Sequence, residues 1–189
     1  MDDYLKTSGK KIRDFLKSDD PFVKIKGPAA NFRENRFCCL CWPTPAKRVR
    51  LLKNYFLSML AFVAPTSDLK TFIFRLMGVK IGKNVEFAVW VSIEPSFPEL
   101  VSIDDNALIG LGVQIATHEM THSSLRIGRV KIGKNAVIGG GTIIRGGVTV
   151  GDNAVTGIGA VVLNDVAPGT TVVGNPARPL AEVLAENDD

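Results

Sequence analysis

Residues 132–155, IGKNAVIGGGTIIRGGVTVGDNAV, repeat one pattern every six residues. An Ile or Val opens each of these hexads, a small residue usually follows it, and a small or β-branched residue often stands fifth. This spacing is the hexapeptide repeat of a parallel β-helix. The stretch therefore predicts the fold.

Similar hexads occupy residues 81–92, 103–120 and 132–167. In a β-helix each hexad is a short strand and a turn, and three hexads form one triangular coil. The opening Ile or Val points into the prism, while Gly, Asn or Asp forms the tight corner. A coil is not stable alone, so about three or more must stack. Thr156 is the one polar residue that opens a hexad, and its hydroxyl needs a hydrogen-bond partner.

Two segments break the six-residue period. They are PSFPELV at residues 95–101 and THSSLRIGRV at residues 121–130. Neither can continue the stack, so both are expected to loop out of the prism.

Residues 1–78 follow a helical pattern instead. A first helix is predicted near the N-terminus, and a second covers residues 49–63. Ser67 or Asp68 can cap a third helix, which ends at Gly78. The apolar positions of the first helix are Tyr4, Ile12, Phe15 and Leu16.

The predicted fold class is mainly β, a parallel β-helix preceded by an α-helical N-terminal region. Its expected parts are a helical region at 1–78, a β-helix domain at 79–180 and a C-terminal tail at 181–189. A chain of 189 residues is long enough for one domain with a real core.

The apolar helix at residues 49–63 has two possible environments. It is too short to span a bilayer, but it can make peripheral contact with a membrane surface. It can equally pack against its own domain or a sister subunit, as amphipathic helices usually do. The basic residues near its start are Lys47, Arg48, Arg50 and Lys53.

Composition excludes some classes of function. A hydrophobic content of 46% with 22% charged residues excludes a disordered chain. The net charge of +4 is dispersed rather than gathered in a basic stripe, so no nucleic-acid partner is expected. Residues 1–17 are charged and lack an apolar signal core, which predicts a cytoplasmic protein.

Three cysteines, Cys38, Cys39 and Cys41, stand together in RFCCLCWP. Three thiols fall short of the four ligands that a structural zinc ion normally takes. Buried reduced thiols are the simpler interpretation. A metal ion shared between chains is the alternative.

His118, Glu119 and His122 spell H-E-x-x-H, the zinc-protease signature. That motif works on a helix, where the two histidines face the same way. Here the neighbouring hexads predict β-structure, and the only later glutamates, Glu182 and Glu186, lie in the tail. A protease is therefore not expected, and no metal site is predicted.

Residues 79–180 resemble the hexapeptide-repeat acyltransferases, a group that includes galactoside, maltose, nodulation-factor and xenobiotic acetyltransferases. The resemblance rests on the quoted stretch, on VVLNDVAPGTTVVGNPAR at residues 161–178, and on His118 before a looped-out segment. It implies a left-handed β-helix, a homotrimer and acyl-CoA sites between subunits. The implied reaction moves an acetyl group from acetyl-CoA to a hydroxyl or amine of a sugar, glycan or similar small acceptor.

By resemblance His118 is the general base of this reaction. A neutral imidazole can take the acceptor's proton during attack on the thioester and deliver it to the CoA sulfur. Glu119 and Glu94 are the candidates for orienting His118 as a carboxylate does in a triad. Exposed corner residues are the alternative interpretation of both, and His122 is interpreted as a surface or substrate-rim residue.

The resemblance also implies a set of residues that bind acetyl-CoA. Arg178 is expected to bind a CoA phosphate through its charged fork, above a turn shaped by Asn175 and Pro176. The family often has Thr-Lys where this chain has Leu163 and Asn164, so either CoA binding is weaker or Arg145 or Lys134 substitutes. The implied cofactor-binding residues are Gly140, Thr142, Ile158, Gly159, Ala160, Asn164, Asn175 and Arg178.

Two other functions use the same kind of prism. A zinc lyase similar to γ-carbonic anhydrase needs three histidines on different coils, whereas this chain has two in one segment. A non-catalytic assembly protein would dock through its N-terminal helices.

Overall fold

The computed structural model describes residues 2–26, 45–121 and 124–186, with the backbone alone for residues 2–9 and 45–48. Cys38, Cys39, Cys41 and His122 lie outside the described residues, so the predictions for them stay predictions.

The N-terminal part contains three helices and one strand. These are α1 (Asp2–Lys17), β1 (Phe22–Lys26), α2 (Pro45–Val63) and α3 (Ser67–Met77). The third helix ends as predicted, because Gly78 adopts the left-handed φ of 112° and its N–H bonds back to the last turn. The strand β1 was not predicted, although Val23 and Ile25 alternate with lysines.

The rest of the chain forms a three-sided prism of short parallel strands. Its first face contains β2 (Lys80–Ile81), β5 (Val101–Ile103), β10 (Val130–Ile132) and β13 (Val148–Val150). Its second face contains β3 (Glu86–Phe87), β6 (Leu108–Ile109), β11 (Val137–Ile138), β14 (Val155–Thr156) and β16 (Thr171–Val173). Its third face contains β4 (Ser92–Ile93), β7 (Gln114–Ile115), β12 (Ile143–Ile144) and β15 (Val161–Val162).

The hexad openers fill the inside of this prism, as the six-residue period predicts. On the first face Ile103 pairs in register with Ile132, which pairs with Val150. The third face repeats this with Ile115 and Ile144. All five side chains are buried, so the predicted parallel β-helix is confirmed.

Thr156 finds its partners inside the prism. Its Oγ1 accepts the Gly139 N–H at 3.0 Å and lies 3.1 Å from the Thr142 hydroxyl. The Thr142 hydroxyl in turn lies 3.2 Å from the Gly157 carbonyl oxygen. The buried hydroxyls are therefore hydrogen-bonded within the core.

The corner between the first and second faces is built on a column of asparagines. Asn84, Asn106, Asn135 and Asn153 all have a left-handed φ between 52° and 59°. Each amide donates to the next along the column, at 3.1–3.2 Å. Asparagine suits this corner because it tolerates the left-handed region better than other non-glycine residues.

The ends of the prism are covered. At the start, α3 lies on the first coil, where the Phe74 and Phe87 ring centroids are 5.3 Å apart. At the other end, β17 (Arg178–Pro179) runs antiparallel to β16, and α4 (Leu180–Ala185) follows it.

One side of α2 packs on α3 and β4, while its other side carries an exposed apolar face. Among the described residues, no helix is long and apolar enough to cross a membrane. The large side chains of the exposed face include Val49, Leu52, Phe56, Met59 and Val63.

Both period breaks leave the prism, as expected. The first contains a 3-10 turn at Pro98–Leu100. The second contains β9 (Ser124–Gly128), which forms an antiparallel hairpin with β8 (His118–Met120), so the chain leaves the prism at His118, inside the hexad predicted at residues 115–120. The strand β1 pairs with β9 and completes a three-stranded sheet.

Replacing an inward residue should cost far more stability than replacing its outward neighbour. Ile132→Ala removes a fully buried side chain, so it should lower the free energy of unfolding by about 2–5 kcal/mol. Lys131→Ala on the same strand is the control, with a change within about 0.5 kcal/mol. Urea denaturation measures both, and equal losses would contradict the inward assignment.

Candidate active site

The corner between the third and first faces brings together residues from four coils. Glu94 follows β4, Thr117 and His118 follow β7, Arg145 follows β12 and Asn164 follows β15. We call this line the His118 corner. Because stacked coils are in register, residues at equivalent positions lie above one another along it.

The Glu94 carboxylate is held by the neighbouring coil. Its Oε2 accepts the backbone N–H groups of Thr117 and His118 at 2.8 and 2.9 Å, and the Thr117 hydroxyl at 2.9 Å. Its Oε1 contacts Nδ1 of His118. The Glu94 side chain is only 15% exposed, so the interpretation as an exposed corner residue is wrong for Glu94.

The His118 ring is fixed on two sides. Glu94 contacts Nδ1, which leaves Nε2 on the side of the ring away from the carboxylate. The Phe97 ring meets the imidazole edge-on, with centroids 6.2 Å apart and planes at 74°. The His118 side chain remains 23% exposed, so the ring is not sealed from solvent.

The pair shifts the pKa of both members. The hydrogen bond that Nδ1 of His118 donates to Glu94 raises the pKa of His118 above its ordinary value, although burial opposes it. Burial raises the pKa of Glu94, but the bond and charge of His118 and the Thr117 donors outweigh burial and lower it. The imidazole is thus a stronger base than a free histidine.

Glu119 does not take part in this pair. It neighbours His118 on β8, and successive strand residues face opposite ways. Glu119 Oε1 lies 2.5 Å from Arg145 Nε, an ion pair whose N–H is not aligned for a hydrogen bond. Its cross-strand partner is Arg126, whose guanidinium lies 3.7 Å above the Phe22 ring.

Most of the implied cofactor-binding residues flank the third face. Gly140, Ile158 and Gly159 form the corner between the second and third faces, opposite the His118 corner. Ile158 is 89% exposed, and the space beside the Gly159 Cα is open. Asn164 lies on the His118 corner itself.

Two members of the implied set point inward. Thr142 and Ala160 are fully buried, and the Thr142 hydroxyl is occupied within the core. The side chains of these two residues therefore shape the prism and do not reach the surface of one protomer. Their assignment to the acetyl-CoA site rests on the resemblance and stays a prediction.

Arg178 and Asn175 lie at the C-terminal end of the prism. The Arg178 guanidinium donates two hydrogen bonds to the Glu186 carboxylate, from Nη1 to Oε1 at 2.7 Å and from Nη2 to Oε2 at 2.9 Å. Both side chains are exposed. The fork predicted for a CoA phosphate is thus already paired with an anion of the same chain.

Of the two cations considered as substitutes, Arg145 lies on the His118 corner. Lys134 lies on the asparagine corner, where its N–H donates to Asp152. Within residues 2–26, 45–121 and 124–186 there is no group of three His, Cys, Asp or Glu side chains that could hold a metal ion. In addition, His118 starts a strand, which is not the helical setting of a zinc-protease motif.

Sequence reasoning missed two residues of this site. Thr117 gives two donors to Glu94, and Phe97 forms the wall beside the ring. Thr117 stands next to His118 in the sequence, and this adjacency is the one signal that could have been used. Phe97 lies in a looped-out segment, where the period gives no information.

Comparisons with known proteins identify relatives of the chain. No family model matches the chain. It is 37% identical over 131 residues to "Putative acetyltransferase YvoF" of Bacillus subtilis (strain 168), covering 69% of this chain and 76% of that protein.

Two solved structures share the fold. A hexapeptide-repeat acetyltransferase from Vibrio cholerae O1 biovar eltor, complexed with acetyl-CoA, has a TM-score of 0.61 at 22% identity and covers 72% of this chain and 89% of its own. A galactoside acetyltransferase in complex with coenzyme A has a TM-score of 0.59 at 23% identity, with coverage of 74% and 83%. These likenesses show the β-helix fold.

The three-sided parallel prism places the chain among the β-helical proteins. It shares 37% identity over 76% of the Bacillus protein, a putative acetyltransferase. It belongs to the hexapeptide-repeat acetyltransferases, and the prediction of an acyltransferase is confirmed.

The Glu94–His118 pair should make stability depend on pH. The raised pKa of His118 adds stability below its unfolded value of 6.5, and this is lost as pH rises through the folded value. The lowered pKa of Glu94 adds stability above its unfolded value of 4.5, and this is lost as pH falls through the folded value. The contribution of the pair to the free energy of unfolding is therefore largest between pH 4.5 and pH 6.5.

Glu94→Gln should then destabilise the protein more at about pH 5.5 than at about pH 8.5. Urea denaturation of both proteins at each pH measures the difference. Glu119→Gln, a similar change on the neighbouring strand, is the control and should lack this dependence. A pH-independent loss in Glu94→Gln would contradict the coupling.

Proposed function

We propose that the protein is a cytoplasmic, homotrimeric acetyltransferase that moves the acetyl group of acetyl-CoA to a hydroxyl or amine of a sugar, glycan or similar small acceptor. His118 is its general base, and Glu94 orients that base. The observation that carries the proposal is the contact of the Glu94 carboxylate with Nδ1 of a partly exposed imidazole.

The donor follows from the relatives. The Vibrio protein is complexed with acetyl-CoA and the galactoside acetyltransferase with coenzyme A. In this chain the third face lies between an open corner at Gly140 and Gly159 and the corner of His118. A thioester lying along that face would meet the imidazole, and a second prism against it would enclose the site.

The acetyl transfer needs a general base. In His118 this is Nε2, because Nδ1 contacts Glu94. His118 Nε2 takes the acceptor proton while the acceptor oxygen or nitrogen attacks the thioester carbonyl carbon. The tetrahedral intermediate then breaks its carbon–sulfur bond, and the same proton passes to the departing sulfur. Glu94 stabilises the imidazolium that exists between these steps, as the carboxylate of a triad does.

A sugar acceptor is supported by the galactoside acetyltransferase among the solved relatives. The catalytic domain in this proposal is the β-helix of residues 79–180, with the helical region 1–78 before it and the tail 181–189 after it. The exposed apolar face of α2 is the surface for either expected contact, a sister subunit or the periphery of a membrane.

Removing the base tests the proposal. His118→Ala should lower kcat by roughly 10²–10⁴-fold, because general-base catalysis is lost. A thioester assay with acetyl-CoA and a panel of sugars measures the rate, and calorimetry checks that acetyl-CoA still binds. Lys131→Ala, a change at an exposed residue of the first face, is the control and should keep its activity, whereas an unchanged rate in His118→Ala would reject the role of the base.

The tail should compete with the donor for Arg178. Because Glu186 occupies the guanidinium fork, Glu186→Gln should lower the KM for acetyl-CoA. Arg178→Ala should raise that KM roughly tenfold while kcat changes little. Steady-state kinetics at two salt concentrations measure both, and a KM that neither change affects would remove Arg178 from the donor site.

A further inference from the structure

Asn54 is a buried polar residue on the inner side of α2. Its side chain is 0% exposed, and Nδ2 donates a hydrogen bond to the Pro95 carbonyl at 3.1 Å. Its Oδ1 is buried and accepts no hydrogen bond from any residue that the structure describes. Asn54 is therefore a half-satisfied amide within a packed interface.

Packing alone does not explain an asparagine at this position. The residues one turn before and two turns after it on the same side of α2, Leu51 and Ala61, are buried and apolar. A buried amide oxygen without a donor costs free energy, whereas an apolar side chain of the same shape does not. Leucine would suit the packing but would leave the Pro95 carbonyl without its donor, so what the amide adds at this position is its hydrogen bond to Pro95.

That group belongs to the segment that holds the base. Pro95 directly follows Glu94, and two residues later Phe97 stands against the His118 ring. One turn earlier on α2, Arg50 binds Glu99 in the same segment at 3.1 Å. The helix α2 thus holds the segment at both ends.

We propose that Asn54 is a positioning residue for the Glu94–His118 pair. Its amide fixes the Pro95 carbonyl, and this keeps the Glu94 carboxylate beside Nδ1 and the Phe97 ring against the imidazole. The inference rests on the proposed function, because the placement of Glu94 beside His118 affects the rate only if this pair performs the acetyl transfer.

The charged groups near the pair make the effect measurable. Glu94 is the charged group that raises the pKa of His118. Glu119 is paired with Arg145, and Glu99 is paired with Arg50. If Glu94 loses its place, the pKa of His118 should fall toward the ordinary histidine value.

The test is Asn54→Leu in the full-length protein. Its Tm should fall no further than that of Leu51→Ala, its kcat should fall roughly tenfold to a hundredfold with little change in KM, and the acid limb of its pH–rate profile should move to lower pH. NMR titration of the imidazole protons follows His118 directly, with His122→Gln used for assignment because the chain has two histidines. If the leucine variant folds poorly, Asn54→Ala replaces it.

Leu51→Ala on the same side of α2 is the matched control. It leaves a cavity and lowers Tm but keeps the amide, so the titration of His118 should not move. An unchanged titration and kcat in Asn54→Leu, or losses that only follow Tm as in Leu51→Ala, would overturn the inference. Full activity in His118→Ala would instead reject the proposed function, while the titration would still decide whether Asn54 positions the pair.

Discussion

Every coil of the prism must place its inward side chains directly above those of the coil before it. Ile132 pairs with Ile103 although the hairpin lies between them in sequence. An insertion can therefore grow only outward, and it must leave and re-enter at one corner. This constraint gives His118, the first residue of such an insertion, a fixed place beside the preceding coil.

The same constraint brings the carboxylate to the base. Glu94 and Thr117 follow paired strands, β4 and β7, so the carboxylate stands where the next coil turns its backbone N–H groups outward. Besides the imidazole, three hydrogen-bond donors stabilise the negative charge of Glu94. Buried carboxylates persist only with such partners. A rigid stack thus positions a base that a mobile loop would hold less well.

The sequence predicts the parts of the structure that local rules control. The hexad period identifies the inward residues, and Gly78 marks the end of α3 because its left-handed φ suits glycine. His118 was singled out by resemblance and by its place before the second break in the period.

Long-range contacts were beyond that reasoning. The strand β1 pairs with β9, about a hundred residues away in the chain, and no local pattern in five residues indicates that partner. Glu94 and Glu119 were equivalent candidates, and only the tertiary structure separates them, since one faces the imidazole and the other faces Arg145.

The covered ends of the prism have a consequence for the assembly of many chains. A stack of parallel coils is a template on which a further coil of the same sequence could grow, since its last strands present unpaired backbone groups. The helix α3 with Phe74 blocks one end, and the reversed strand β17 with α4 blocks the other. An end strand that is already paired or covered offers no free edge to a second copy, so these elements oppose end-to-end stacking of prisms.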